Sequence, residues 1–132
     1  IDFTIYMLYN LGAVMRIILS EKAKSNLEDL RKENKSDYEK VIRKIFQYLD
    51  ISKYENGLDL LKSNNQIKTI RRKNGIYQLY ELKIMNKNNF RIFFHLAVNT
   101  IILGVVKKKV NSFDNDFFSK LEIELSDILD KG

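Results

Sequence analysis

The spacing of apolar residues changes near residue 66, and this change is the sequence feature that most limits which folds the chain can adopt. Between Ala23 and Leu49, apolar residues recur every three or four positions, as they do on one face of a helix. Beyond residue 66, β-branched and aromatic residues dominate three runs: Ile76–Ile84, Phe90–Val98 and Thr100–Val106. Helical spacing followed by strand-forming runs predicts an α+β fold.

Polar residues predict where the first helices begin and end. Ser20 is a good N-cap for a first helix, and Asn34-Lys35 ends it. Ser36 and Glu39 have the capping-box spacing, which predicts the start of a second helix there. We therefore expect two antiparallel helices.

The remaining elements predict a mostly antiparallel sheet of about four strands. Arg16–Leu19 is a short N-terminal strand, and the turn-forming residues Asn86 to Asn89, together with Asn99, join the three later runs as an antiparallel meander. Asp114 or Asp116 can cap a C-terminal helix. Its predicted buried stripe is Phe117, Leu121, Leu125 and Ile128.

Alternation along a strand assigns side chains to the two faces of the sheet. The face toward the helix pair is predicted to carry Tyr80, Leu82, Ile84, Ile92, Phe94, Leu96 and Val98. The opposite face is predicted to carry Tyr77, Leu79, Glu81, Lys83, Arg91, Phe93 and His95. The second set mixes charged and aromatic residues, so it is the candidate functional face.

Composition narrows the function. The 132 residues suit one domain, and without cysteine and with one histidine we expect no metal site and no cofactor. The same absence of cysteine favours a reducing, cytoplasmic setting, and no apolar run is long enough for a membrane span. The net charge of +6 favours binding to phosphate backbones, although a basic surface can also serve solubility alone.

Residues 1–14 are predicted to be an extension outside the functional domain, which we place at 15–132. The segment Met15-Arg16-Ile17-Ile18 reads like a natural protein start. The alternative is that the opening residues form an added strand or helix that docks on the core.

Several segments, in order, resemble the RelE/HigB toxins of the RelE/ParE superfamily. The segments are MRIILS from Met15, IYQLYELK from Ile76, FRIFF from Phe90 and IILGVVKK from Ile101. They are similar to a family pattern of "lyELR", then "yRiff", then an apolar strand that ends in "KK". Two positions depart from it: Lys83 replaces the usual arginine, and KVNSF from Lys109 replaces a segment that normally contains proline.

The resemblance implies the toxin of a type II toxin–antitoxin system. Such a toxin is an endoribonuclease that cleaves mRNA, usually on the ribosome, by metal-free transesterification to a cyclic phosphate and a 5′-hydroxyl. Its partners would be mRNA, the ribosome and a cognate antitoxin. Two alternatives stay open: a ParE-like toxin that binds DNA gyrase, and a non-catalytic module that binds nucleic acid or protein.

Five residues are candidates for the chemistry. Arg91 can clasp two phosphate oxygens, or instead pair with a carboxylate such as Glu81. His95 can exchange a proton near neutral pH, or simply pack among aromatic rings. Lysines can bind phosphate and donate a proton, or form a solvated strand end. The lysine candidates are Lys83, Lys107 and Lys108.

A second group is predicted to bind RNA without taking part in catalysis. Its cations can pair with phosphates and its tyrosine can stack on a base, while the other interpretation is a charged turn before a strand. The group consists of Arg71, Arg72, Lys73, Tyr77 and Lys109. Glu81 is either a general base or the carboxylate that holds a neighbouring cation in place.

Overall fold

The computed structural model describes residues 5–10, 13–52, 56–84, 89–108 and 113–131. The helices are α1 (Glu21–Glu33), α2 (Lys35–Ser52), α3 (Gly57–Ser63) and α4 (Asn115–Lys131). The strands are β1 (Ile5–Asn10), β2 (Ala13–Leu19), β3 (Ile67–Ile70), β4 (Leu79–Ile84), β5 (Phe90–Leu96) and β6 (Thr100–Lys107). The chain is α+β, as the spacing predicts.

The six strands form one sheet in the order β1-β2-β6-β5-β4-β3. The prediction of about four strands was too low, because Ile5–Asn10 adds a strand at one edge and Ile67–Ile70 adds one at the other. Strand β2 runs parallel to β6, and the other neighbouring pairs are antiparallel. The sheet is therefore mixed. The chain between the two parallel strands runs through α1, α2, α3 and then β3 to β5, since parallel strands cannot be linked by a tight turn.

Helices cover both faces of this sheet. The first face packs against α1, α2 and α3 around a core that includes Leu27, Val41, Leu82 and Phe94. The second face packs against α4, whose Leu121 and other apolar residues contact a second core. That second core also contains Leu79, Ile101, Phe93 and Leu103. The face opposite the helix pair is thus not an open surface along its whole length.

Helix starts follow local polar chemistry. Ser20 caps α1 as predicted, because its Oγ accepts a hydrogen bond from the backbone N–H of Ala23 at 3.0 Å. The prediction of Ser36 as the cap of α2 was wrong: Asn34 Oδ1 accepts from the backbone N–H of Asp37 at 3.0 Å, and α2 begins at Lys35. Asn34 also ends α1, so one residue separates the two helices.

Strand β6 contains an irregularity that affects the second face. Phe93 pairs with Gly104 while the next residue, Phe94, pairs with Ile102, so Leu103 is an extra residue on β6. Leu103 belongs to the α4 core, and a Cβ built on Gly104 would also approach α4, at 3.8 Å from Leu121 Cδ2. A bulge of this kind places two successive residues on one face.

Candidate nucleic-acid interface

A cleft of about 690 Å³ lies beside α4, where β3, β4 and the end of β6 come together. This volume is within the range usual for ligand-binding clefts, roughly 300–1,000 Å³. Its lining includes five basic residues and one carboxylate, Glu81; the basic residues are Lys62, Lys68, Arg71, Lys83 and Lys108. Phe113 and Phe118 form an aromatic part of the wall. We call this site the basic cleft.

Strand register explains why these charges meet. Lys68 of β3 lies directly opposite Glu81 of β4, and Lys83 lies two residues further along β4. Residues two apart on a strand share a face and lie about 7 Å apart. Lys68, Glu81 and Lys83 therefore point to the same side of the sheet, the side that α4 covers only in part. The sequence prediction that Glu81 and Lys83 share a face opposite Leu82 is confirmed.

Arg91 lies next to the basic cleft but is buried. Its side chain is 6% exposed, and it is the cross-strand partner of Lys83. Its Nε lies 3.9 Å from Glu81 Oε1, and its Nη1 donates to Asn89 Oδ1 at 2.6 Å. Within the described part of the chain, Nε has no hydrogen-bond partner. Arg91 therefore pairs with Glu81, which is the second of the two interpretations drawn from the sequence.

The two lysines at the end of β6 lie on opposite faces. Lys108 lines the basic cleft, and its backbone N–H donates to Asn89 O at 3.0 Å. The ammonium group of Lys107 lies 5.9 Å from the centre of the Phe90 ring, and Phe90 belongs to the core of the first face. Strand alternation therefore separates two candidates that are adjacent in sequence. Lys109 lies outside the described residues.

Arg72 is occupied by contacts to α4. Its guanidinium forms an ion pair with Glu122 and donates to Asn115 Oδ1 and to Ser119 Oγ, both at 3.0 Å. Its side chain is 7% exposed. The guanidinium carbon also lies 5.9 Å from the centre of the Phe118 ring. These contacts fix the loop before β4 onto α4 and leave Arg72 little freedom to bind RNA.

The Glu122 carboxylate of α4 also holds the loop before β4. Its Oε2 accepts hydrogen bonds from the backbone N–H groups of Ile76 and Tyr77, each at 2.7 Å. Burial opposes ionisation, but these two bonds and the Arg72 guanidinium outweigh it, so the pKa of Glu122 lies below its usual value near 4.5. The predicted strand from Ile76 therefore begins only at Leu79, because Ile76 and Tyr77 bond to Glu122.

His95 and Tyr77 lie away from the basic cleft. His95 Nδ1 is 2.8 Å from Gln78 O, and the His95 ring meets the Tyr77 ring edge to face, with centres 5.8 Å apart. On β5, Phe93 lies between Arg91 and His95, and the rings of Phe113, Phe117 and Phe118 surround it. His95 is thus about 13 Å along the strand from Arg91, with α4 packed between them.

The structure groups only some of the predicted residues. Lys83, Lys108 and Arg71 line the basic cleft, and Arg71 is exposed. Lys73 is exposed in the loop before β4 and does not line it. Sequence reasoning missed Lys62, Lys68, Phe113 and Phe118. The alternation of Lys68 with Ile67 in a β-rich run was a usable signal, but nothing local linked Lys62 or Phe113 to the sheet.

No cluster of histidine, aspartate and glutamate in the described ranges could hold a metal ion. Across the same residues, no helix combines the length and apolar character that crossing a membrane requires.

Comparison with known proteins returned no matching family model, no matching curated protein and no matching solved structure.

Proposed function

We propose that this chain is an endoribonuclease toxin of the RelE/HigB type, and that it holds RNA in the basic cleft. The observation that carries the proposal is that five Lys and Arg side chains and one carboxylate, Glu81, line a single cleft of about 690 Å³. Cations gathered from β3, β4, α3 and the end of β6 suit a phosphate backbone better than a small neutral ligand. An α+β fold with a C-terminal helix is compatible with what the sequence resemblance implies.

The basic cleft holds groups suited to transesterification. Lys83 and Lys108 neutralise the charge that develops on the phosphorus oxygens as the 2′-oxygen attacks. Glu81 takes the proton of the 2′-hydroxyl, and a lysine returns a proton to the departing 5′-oxygen. The bond from the 2′-oxygen to phosphorus forms while the bond from phosphorus to the 5′-oxygen breaks. The products are a 2′,3′-cyclic phosphate and a 5′-hydroxyl.

Arg91 supports this chemistry from beside the basic cleft. Its guanidinium lies near the Glu81 carboxylate, so it orients the proposed base and adds positive potential near the phosphate. Arg91→Lys keeps the charge and loses the two-pronged donor geometry. We expect this variant to cut RNA more slowly than the parent while binding it with similar affinity.

The test is to map RNA 5′ ends in cells shortly after the full chain is induced. The parent is compared with Lys83→Gln combined with Lys108→Gln. The control is Lys107→Gln, which removes one positive charge next to Lys108 in sequence but on the opposite face. We expect new 5′-hydroxyl ends with the parent and with the control, and a loss of at least tenfold in the double variant.

Two results would contradict the proposal. Equal cleavage by the parent and the double variant would remove the basic cleft from the reaction. Arrested growth with intact transcripts would exclude the nuclease and favour binding to DNA gyrase.

One observation favours a second candidate, a non-catalytic RNA-binding module. The only histidine of the chain lies beyond Phe93 and away from the basic cleft, so no imidazole is among the lining residues. RNA binding that depends on Lys83 and Lys108, without any new 5′ ends, would select this candidate.

A further inference from the structure

The basic cleft has an aromatic wall as well as cations. Phe113 and Phe118 both line it, but Phe118 is only 8% exposed while Phe113 is half-buried. Phe113 therefore presents the more accessible ring to a ligand in the basic cleft. It lies just before α4, on the side of the sheet where Lys83 and Lys108 also line the site.

Neighbouring rings hold Phe113 in place. Its ring centre is 5.0 Å from that of Phe93, edge to face, and 4.8 Å from that of Phe117, with planes 34° apart. Asp114 Oδ1 accepts from the backbone N–H of Phe117 at 2.8 Å, which fixes the start of α4 next to Phe113. A ring ordered in advance loses little conformational entropy when a ligand packs on it.

We propose that Phe113 stacks on a nucleobase of the bound RNA, and that this contact makes the basic cleft select unpaired strands. The inference rests on the proposed function, since it assigns a specificity-determining residue to the same site. The lysines contact phosphates, which single strands and duplexes both carry. A base face, in contrast, is accessible to a side chain only when the base is unpaired and unstacked.

The chain contains no tryptophan, and this allows a direct optical test. Phe113→Trp in the full chain introduces a single reporter at the proposed stacking position. A single-stranded oligoribonucleotide is expected to quench its fluorescence on binding. A duplex of the same sequence and an abasic strand of the same length are expected to bind through their phosphates without this quenching. Phe117→Trp is the matched control, because Phe117 belongs to the same ring cluster but does not line the basic cleft.

A second variant measures the contribution of the ring to affinity. Phe113→Leu keeps an apolar side chain against Phe93 and removes the aromatic face. We expect it to weaken single-strand binding about tenfold, to leave binding of the abasic strand unchanged, and to be rescued by Phe113→Tyr. Phe117→Leu should have no comparable effect. Equal losses for the two leucine variants, or equal quenching by the abasic strand, would overturn the stacking role.

Lys83→Gln distinguishes a wrong stacking role for Phe113 from a wrong RNA-binding site. Lys83→Gln should weaken binding of both the normal and the abasic strand. If this holds and Phe113→Trp is not quenched, the stacking role is wrong and the RNA site stands. If no oligonucleotide binds the full chain in a way that depends on Lys83, both are overturned.

Discussion

At the residue scale, one carboxylate organises the loop before β4. Glu122 accepts from two backbone N–H groups and pairs with Arg72, and both of the paired side chains are 7% exposed. A buried pair is costly to break from one side, because the remaining charge loses its partner while staying away from water. Glu122 and Arg72 therefore determine how the loop meets α4 and, through it, one side of the basic cleft.

Glu122→Gln should lower the free energy of unfolding by about 3 kcal/mol, since it leaves the Arg72 charge buried without a counter-charge. Urea unfolding followed by circular dichroism measures the change. Glu21→Gln is the control: Glu21 pairs with Lys24 but its side chain is 86% exposed, so we expect less than about 0.5 kcal/mol. Equal effects of the two substitutions would show that the buried Glu122–Arg72 pair contributes no more to the free energy of unfolding than an exposed pair does.

The stability contributed by Glu122 should depend on pH. Its pKa in the folded chain lies below the usual value near 4.5, so the unfolded state takes up a proton first as the pH falls. The contribution is complete above about pH 4.5 and is lost as the pH drops through the folded-state pKa. The stability difference between the parent and Glu122→Gln should therefore be constant from pH 7 to 5 and narrow below pH 4.5. A difference that grows on acidification would contradict this assignment.

At the scale of elements, α4 closes the second face of the sheet. Leu121 and Leu125 are 1% and 0% exposed, and they pack with Phe93 in the second core. Glu124 adds a polar attachment at the other side of the helix, since its Oε1 accepts from the backbone N–H of Lys22 at 2.9 Å. Helix α4 thus connects the start of α1 with the loop before β4, and it separates His95 from the basic cleft.

Leu125→Ala should destabilise the fold by about 2–5 kcal/mol, because a fully buried leucine leaves a cavity in the second core. The matched control is Ile123→Ala on the same helix, where the side chain is 65% exposed and the expected cost is within about 0.5 kcal/mol. Thermal and urea unfolding would measure both. Similar costs for the two variants would mean that α4 is not docked in this orientation.

At the scale of the molecule, charge is divided between two neighbouring regions. The basic cleft is lined by five cations and one carboxylate, Glu81, whereas α4 contains five acidic residues and two basic ones. Positive charge is therefore more concentrated at the basic cleft than the net charge of +6, averaged over the whole chain, indicates. If the chain binds RNA as proposed, we expect this division of charge to favour the basic cleft over the exposed side of α4.

RNA binding should weaken as salt rises, with a slope set by the number of phosphates neutralised in the basic cleft. Lys83→Gln removes one such contact and should reduce the slope of log affinity against log salt by about 0.7. Fluorescence anisotropy with a labelled single strand at several salt concentrations gives the slope. Lys107→Gln, on the opposite face, should leave it unchanged. An equal change in both variants would show that only total charge matters.

The sequence by itself determined the elements that depend on local pattern. The α+β class and the apolar stripe of α1 follow from a spacing that repeats over a few residues, and so does the placement of Leu82 and Lys83 on opposite faces of β4. The cap at Ser20 follows from the residue type at the start of the helix. The roles proposed for Lys83, Lys108 and Arg91 came from the chemistry of these side chains and from the resemblance, and they remain predictions.

Only the tertiary structure decided which candidates meet. Contacts between residues far apart in sequence place α4 on the sheet and pair Arg72 with Glu122. They also bring Lys62 and Phe113 into the lining of the basic cleft. Local pattern cannot encode these contacts, because they depend on how whole elements pack. The early start predicted for β4 failed for the same reason: the N–H groups of Ile76 and Tyr77 have a carboxylate partner some 45 residues away.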